Sequence, residues 1–203
     1  MSKTSYKSMN SRSEGLYKEK GSKFIGIAQP CYSEGEVKEL LKVWKKEHQQ
    51  AEHLCYAYRL GFKADKYRAN DDGEPSNSAG APILGQLQSY DLTNTLIGVV
   101  RYYGGTKLGV GGLINAYRTA AKEAIDAGKI VEKEVMAYHR IHFEYPDMST
   151  VMVLLKQRKI DFSETQFEES CALTVALSLD EEESCLDELE YISSVKTNHL
   201  STH

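Results

Sequence analysis

The sequence predicts an α+β protein of two domains, residues 1–130 and 131–203, and three observations carry that prediction. Short runs of alternating apolar and polar residues are interleaved with runs whose apolar residues recur at helical spacing, so strands and helices mix along the chain. Charge is split unevenly: residues 1–130 hold 19 Lys and Arg against 14 Asp and Glu, net +5, whereas residues 131–203 hold 6 against 15, net −9. Surfaces of opposite sign point to two domains and put any polyanion contact on the first. The second domain reads as βαββαβ, the order of a ferredoxin-like split-βαβ module.

The composition, 41% hydrophobic and 27% charged, is that of a globular cytoplasmic protein. No apolar run approaches a membrane span, the best being Leu96 to Val100. The first residues lack the apolar core of a secretory signal. Cys31, Cys55, Cys171 and Cys185 are widely separated with no Cys-x-x-Cys pair. That spacing excludes a zinc ribbon and a dithiol redox centre, and fits free thiols in a reducing compartment.

In chain order, residues 15–30 read as a strand hairpin turning at Lys20-Gly-Ser-Lys23. Ser33 caps a helix whose apolar positions Val37, Leu40, Leu41 and Trp44 lie on one face, with Glu36 completing a capping box. Leu54 to Leu60 is a strand, with Leu54, Tyr56, Tyr58 and Leu60 on one side and His53, Cys55, Ala57 and Arg59 on the other. Residues 65–80 are polar and punctuated by Gly73, Pro75 and Gly80, which predicts a long loop followed by a short helix near Ala81 to Ser89. Leu96 to Tyr103 is a buried strand, and Leu113 to Ala127 a helix with Leu113, Tyr117, Ala120, Ala121 and Ala124 inward, ended by Gly128.

In the second domain, Ala137 to Glu144 and Cys171 to Leu179 alternate as strands. A helix (about Met148 to Arg158) and a strand (about Ile160 to Glu168) separate them. A helix from about Glu181 to Ile192 and a short strand from Val195 to His199 complete the order. His139 and His142 point to opposite faces of their strand, which argues against a shared metal site.

Two segments carry chemistry. Arg101-Tyr-Tyr-Gly-Gly-Thr-Lys-Leu-Gly-Val-Gly-Gly-Leu113 runs from a strand through a basic, glycine-rich stretch into a helix. Gly104, Gly105, Gly109, Gly111 and Gly112 permit close backbone approach around Lys107, and a helix start favours an anion such as phosphate. The second segment, Asp71-Asp-Gly-Glu-Pro-Ser76, crowds Asp71, Asp72 and Glu74 around Gly73. Those carboxylates would hold a cation, orient basic side chains, or bond their own backbone as a turn. His53, on the strand face it shares with Arg59, is either a core histidine or a phosphate donor near the basic residues.

Together, His53-x-Cys-Tyr-Ala-Tyr-Arg59, Asp71 to Ser76 with Ala79-Gly80, and Arg101 to Leu113 with Ala116-Tyr117 resemble the signature of the IMPACT/YigZ family, three motifs in the expected order. Tyr103 stands where phenylalanine is common, and Asn77-Ser78 where Gly-Thr is usual. The resemblance implies a ribosomal-protein-like α/β sandwich for residues 1–130, shared with domain IV of elongation factor G. For residues 131–203 it implies a module similar to the last domain of that factor. Eukaryotic relatives regulate translation through protein contacts, but with a different accessory domain, so that partner does not carry over.

Three readings of function follow. The first is a non-catalytic, translation-associated protein that binds RNA or the ribosome through Arg59, Arg68, Arg101, Lys107 and Arg118, with Tyr102, Tyr103 and Tyr117 as stacking candidates. The second is a metal-dependent enzyme acting on phosphate esters or nucleotides, with Asp71, Asp72 or Glu74 as ligand or base. Thr106 precedes Lys107, unlike the order in a P-loop. The third is a protein-interaction regulator whose loops are structural, Asp72 or Glu74 pairing with Arg101. No pattern calls for a cofactor or a resident metal, and none fixes an oligomeric state.

Overall fold

The structure, a computed structural model, describes residues 4–168 and 170–202. The chain forms two compact units, Tyr6–Lys133 and Glu134–His203, the latter taking in the first residues up to Ser5. Both are mixed α/β. Among the described residues no helix is long and apolar enough to cross a membrane.

The larger unit is built on a five-stranded sheet. Its strands are β2 (Ser13–Glu19), β3 (Ser22–Pro30), β4 (His53–Leu60), β5 (Lys66–Asn70) and β6 (Thr95–Tyr102), antiparallel in the order β2-β3-β6-β4-β5. A separate two-stranded sheet pairs β1 (Ser5–Met9) with β7 (Ile130–Glu134). The central strand β6 is buried from Thr95 to Arg101, which is why its sequence is a continuous apolar run and not an alternation.

Helix α1 (Glu34–Glu47) covers one sheet face, where Trp44 and Val37 pack on Ile27, Leu54, Tyr58, Leu96 and Val100. Ser33 caps it by accepting from the Glu36 N–H at 3.2 Å. Glu36 in turn accepts from the Tyr32 N–H, one residue before the cap. Helices α2 (Gly80–Ser89) and α3 (Gly109–Asp126) cover the other face with Ile83, Leu87, Leu113, Ala116, Tyr117 and Ala120. The small side chains of α3 let it lie directly on β3: a Cβ at Gly26 would stand 2.1 Å from the Ala120 carbonyl oxygen.

Besides β1 and β7, which the sequence reading does not mark, two segments depart from it. Residues 66–70 are not loop but the edge strand β5, which is paired to β4 through its backbone and almost wholly exposed, so its side chains show no apolar alternation. Helix α3 begins at Gly109, four residues before Leu113, and the weak helix propensity of its glycines hides that first turn.

The smaller unit runs β8 (Met136–Glu144), α4 (Met148–Gln157), β9 (Phe162–Phe167), β10 (Ser170–Ser178), α5 (Glu182–Glu190), β11 (Lys196–Thr202). Its antiparallel sheet has the order β11-β8-β10-β9. Ile141, Phe143, Leu173, Val175 and Leu177 form the sheet side of a core closed by Val151, Leu155, Cys185 and Leu189 from the two helices. All four cysteines of the chain are free and buried.

Candidate functional site

The segment from Asp71 to Pro75 is held from several sides by groups of its own unit. The cap residue of α2, Ala79, offers no side-chain acceptor, and Asp71 supplies one from upstream. Its carboxylate accepts from the N–H groups of Asn77 (2.9 Å), Ala79 (3.0 Å) and Gly80 (2.8 Å). Negative charge at a helix start is favourable twice over, through the hydrogen bonds and through the dipole. Asp72 accepts from the Leu54 N–H at 2.8 Å and faces Lys45 at 3.7 Å. Its carbonyl lies 2.7 Å from His53 Nδ1. A carbonyl can only accept, so Nδ1 carries the proton of this hydrogen bond. The Cys55 thiol donates to the Asp71 carbonyl at 3.0 Å. Burial, with the acidic neighbours Glu74, Asp72 and Asp71 adding, pushes that thiol up to about 12, so it stays protonated and unreactive.

Glu74 joins the motif segments to one another. Its Oε1 accepts from Arg101 Nη1 at 2.5 Å and from the Tyr117 hydroxyl at 2.7 Å, and all three residues are buried. Burial first, then the neighbouring Cys55 and Glu74, raises the Tyr117 hydroxyl far above the ordinary phenol value. The Arg101 guanidinium lies 5.5 Å from the ring centres of both Phe24 and Tyr103. Its Nε–H is buried and has no hydrogen-bond acceptor among the described residues.

That arginine borders a pocket of about 490 Å³. Pro75, Tyr103, Leu108, Val110 and Leu113 give it apolar walls, and Glu52, Glu74, Arg101 and Lys107 give it charge. The glycines around it serve different ends. Gly104 is a packing residue: a Cβ there would stand 1.9 Å from the Gly21 carbonyl carbon, and its N–H donates to Ser22 Oγ at 3.1 Å. Gly105 and Gly109 take φ of +85° and +73°, the left-handed region that favours glycine. Gly111 has neither reason, since a Cβ there would meet nothing within 4 Å. Gly112 would bring a Cβ to 3.0 Å from that of Leu108. The first turn of α3 has no side-chain cap.

The basic residues named from the sequence do not share one surface. Arg101 and Lys107 border the pocket, whereas Arg59 bonds the carbonyls of Leu92 (3.0 Å) and Leu87 (3.4 Å) and so ties down the end of α2. Arg68 is exposed on β5, in register with Tyr58, and Arg118 is exposed on α3. Ser76 is exposed in its loop, and Gly73, at φ +90°, packs beside the His53 ring. Among the described residues no three His, Cys, Asp or Glu side chains are grouped to hold a metal. Sequence reasoning did not reach Glu52, an exposed residue whose sole signal is its place beside His53, nor the role of Tyr117, visible only as a polar tip on an inward helical position.

A smaller cavity of about 190 Å³ lies by α1, lined by Trp44, His48, His53 and Asp72 among others.

Residues 20–125 match the family model of the Impact N-terminal domain. IMPACT family member YvyE of Bacillus subtilis is 35% identical over 149 residues, 73% of this chain and 69% of its own. IMPACT family member YigZ of Escherichia coli is 31% identical over 160 residues, 78% of each chain. A crystal structure of a hypothetical protein, 26% identical, superposes with a TM-score of 0.77 over 98% of both chains. The Impact N-terminal match contains His53 to Arg59, Asp71 to Ser76 and Arg101 to Leu113, the three segments that Glu74, Asp71 and Asp72 hold together, and the chain belongs to the IMPACT family.

Proposed function

We propose that this chain is a non-catalytic, translation-associated protein that binds RNA, free or within the ribosome, at the pocket beside the start of α3. One observation carries the reading: Arg101, whose buried Nε–H has no acceptor among the described residues, borders the same pocket as Lys107 and the uncapped first turn of α3. A buried donor without a partner is costly, and a helix start with a nearby cation favours phosphate. Glu74 is paired with Arg101, and the exposed Glu52 is the other carboxylate of the lining beside Lys107. Tyr103, exposed by 42%, offers a ring face to a base.

Binding is favoured over turnover because the carboxylates that a metal-dependent phosphoesterase needs are engaged: Asp71 by three backbone N–H groups, Asp72 by Leu54, and Glu74 by its two donors. In the smaller unit, the βαββαβ order with first-strand neighbours β11 and β10 supports a ferredoxin-like module, the kind expected beside a translation-factor-like first domain.

The test is filter binding of single-stranded RNA and of ribosomal RNA across a salt series. Lys107→Ala and Arg101→Gln, each checked for retained fold, weaken binding, and each lowers the salt slope by about 1. Absence of salt-dependent RNA binding by the unaltered protein overturns the proposal.

A further inference from the structure

We propose that the groove between α4 and the start of β9, in the smaller unit, docks an acidic segment of a partner protein, whose large apolar side chains enter the groove while Asp or Glu beside them meet Lys156 and Lys159. The inference uses no residue of the larger unit and stands apart from the RNA reading. The groove has a volume of about 570 Å³ and is walled by Met152, Val153, Leu155, Ile160 and Phe162. Leu155 belongs to the buried core, whereas Val153 and Phe162 are exposed by 53% and 41%. Large apolar side chains left in water around a concave surface mark a contact that the isolated chain does not make. A small molecule is nearly enclosed by its pocket, and walls this exposed do not enclose one. Side chains projecting from a partner segment suit that shape.

Charge gives the sign of the partner. Residues 134–203 hold 14 Asp and Glu against 5 Lys and Arg, yet Met148 to Ile160 hold three of those cations and no carboxylate. Arg158 is engaged by Glu188 of α5. Lys156 and Lys159 are exposed, and among the described residues neither forms an ion pair, not even with Asp161, the carboxylate that also lines the groove. Exposed charges act over roughly 8 Å at physiological ionic strength, so an acidic segment is attracted at this groove and repelled over the rest of the unit.

The backbone at Lys159 points the same way. Helix α4 ends in a Schellman motif, in which the Ile160 N–H donates to the Leu155 carbonyl at 2.9 Å and the Lys159 N–H to the Lys156 carbonyl at 3.2 Å. Lys159 takes the position after the cap at φ +56°, where glycine is the relaxed residue. The left-handed conformation costs a residue with a side chain more than a surface cation gains at a helix end, so the helix dipole does not explain a lysine there. A charge required at the rim of the groove does.

The test is a phage-displayed library of linear dodecapeptides panned on the full chain, with the Lys156→Glu/Lys159→Glu chain as counter-selection. Enriched peptides carry Leu, Phe or Trp flanked by Asp and Glu, and the leading one, synthesised with fluorescein, binds the unaltered chain with an affinity that falls as salt rises. Val153→Glu, at an exposed helix position, weakens that binding about tenfold or more, as does the lysine double variant. Lys159→Gly weakens it too while raising the thermal midpoint, opposite shifts that a merely structural lysine does not give. Enrichment of basic or uncharged peptides, enrichment of none, or equal affinity for the unaltered chain and Val153→Glu overturns the proposal. Self-association in sedimentation that Val153→Glu abolishes assigns the groove to a second copy, and binding of phosphatidylglycerol vesicles that the lysine double variant abolishes assigns it to an anionic lipid surface; either overturns the protein partner.

Discussion

At the scale of single residues, the decisive group is Glu74, one of whose oxygens serves both the Arg101 guanidinium and the Tyr117 hydroxyl with almost no water present. Breaking such a pair by removing one partner leaves the other charge buried and unopposed, which costs far more than the pair contributes. Glu74→Gln therefore lowers unfolding stability by about 3–5 kcal/mol. Tyr117→Phe, which deletes only a neutral donor, lowers it by about 1 kcal/mol. Urea titration of the two variants reads the difference, and similar costs for both would show that the charge pair does not hold the site. The pairing of Glu74 with Arg101 was among the readings the sequence allowed. Arg59 shows what residue type alone conceals: a positive charge in a list of positive charges, it spends its hydrogen bonds on the carbonyls of Leu87 and Leu92, a contact across some thirty residues.

At the scale of elements, the glycine-rich segment divides into a packed part and an open part, and substitution separates them. Gly104→Ala forces a Cβ into the backbone of Gly21 and Ser22, so it costs at least about 2 kcal/mol. Gly111→Ala meets nothing and replaces the poorest ordinary helix former by the best one, so it raises stability by a few tenths to about 1 kcal/mol. Opposite shifts of the thermal midpoint check the pair. Asp71→Ala removes the acceptor of three N–H groups at the start of α2 and lowers stability by about 2 kcal/mol, with Asp71→Asn recovering part. Elements whose order is written in side chains were legible: α1 from Ser33 and its apolar stripe, and β4 from alternation that sends Cys55 and Ala57 to one core and Leu54 and Tyr58 to the other. Elements made by backbone pairing at an edge were not. Strand β5 has no buried face to impose a period, and β1 and β7, five residues each, are too short to show one.

At the scale of the whole molecule, buried protonated groups set how the larger unit responds to alkali. Burial raises the Cys31 thiol to about 11 and the Cys55 thiol to about 12, and burial with the Glu34 hydrogen bond raises the Tyr58 hydroxyl to about 12. Their ordinary values are 9.0 for the thiols and 10.0 for the phenol. Below about pH 8 both folded and unfolded chains hold these protons, so these groups leave stability flat there. Between the ordinary and raised values the unfolded chain releases protons that the native state keeps. Stability is thus lost as pH rises, at up to about 1.4 kcal/mol per pH unit for each group. All three belong to the unit that also holds the chain's single tryptophan, Trp44, which is fully buried. Its fluorescence in urea titrations from about pH 7 to about pH 11 follows that unit alone, and the midpoint stays level before falling. Tyr58→Phe keeps the ring but removes one proton from the balance, so its curve falls less steeply above pH 10. A wild-type midpoint level through pH 11, or a Tyr58→Phe curve parallel to it, would show that these buried protons do not govern the unit's stability.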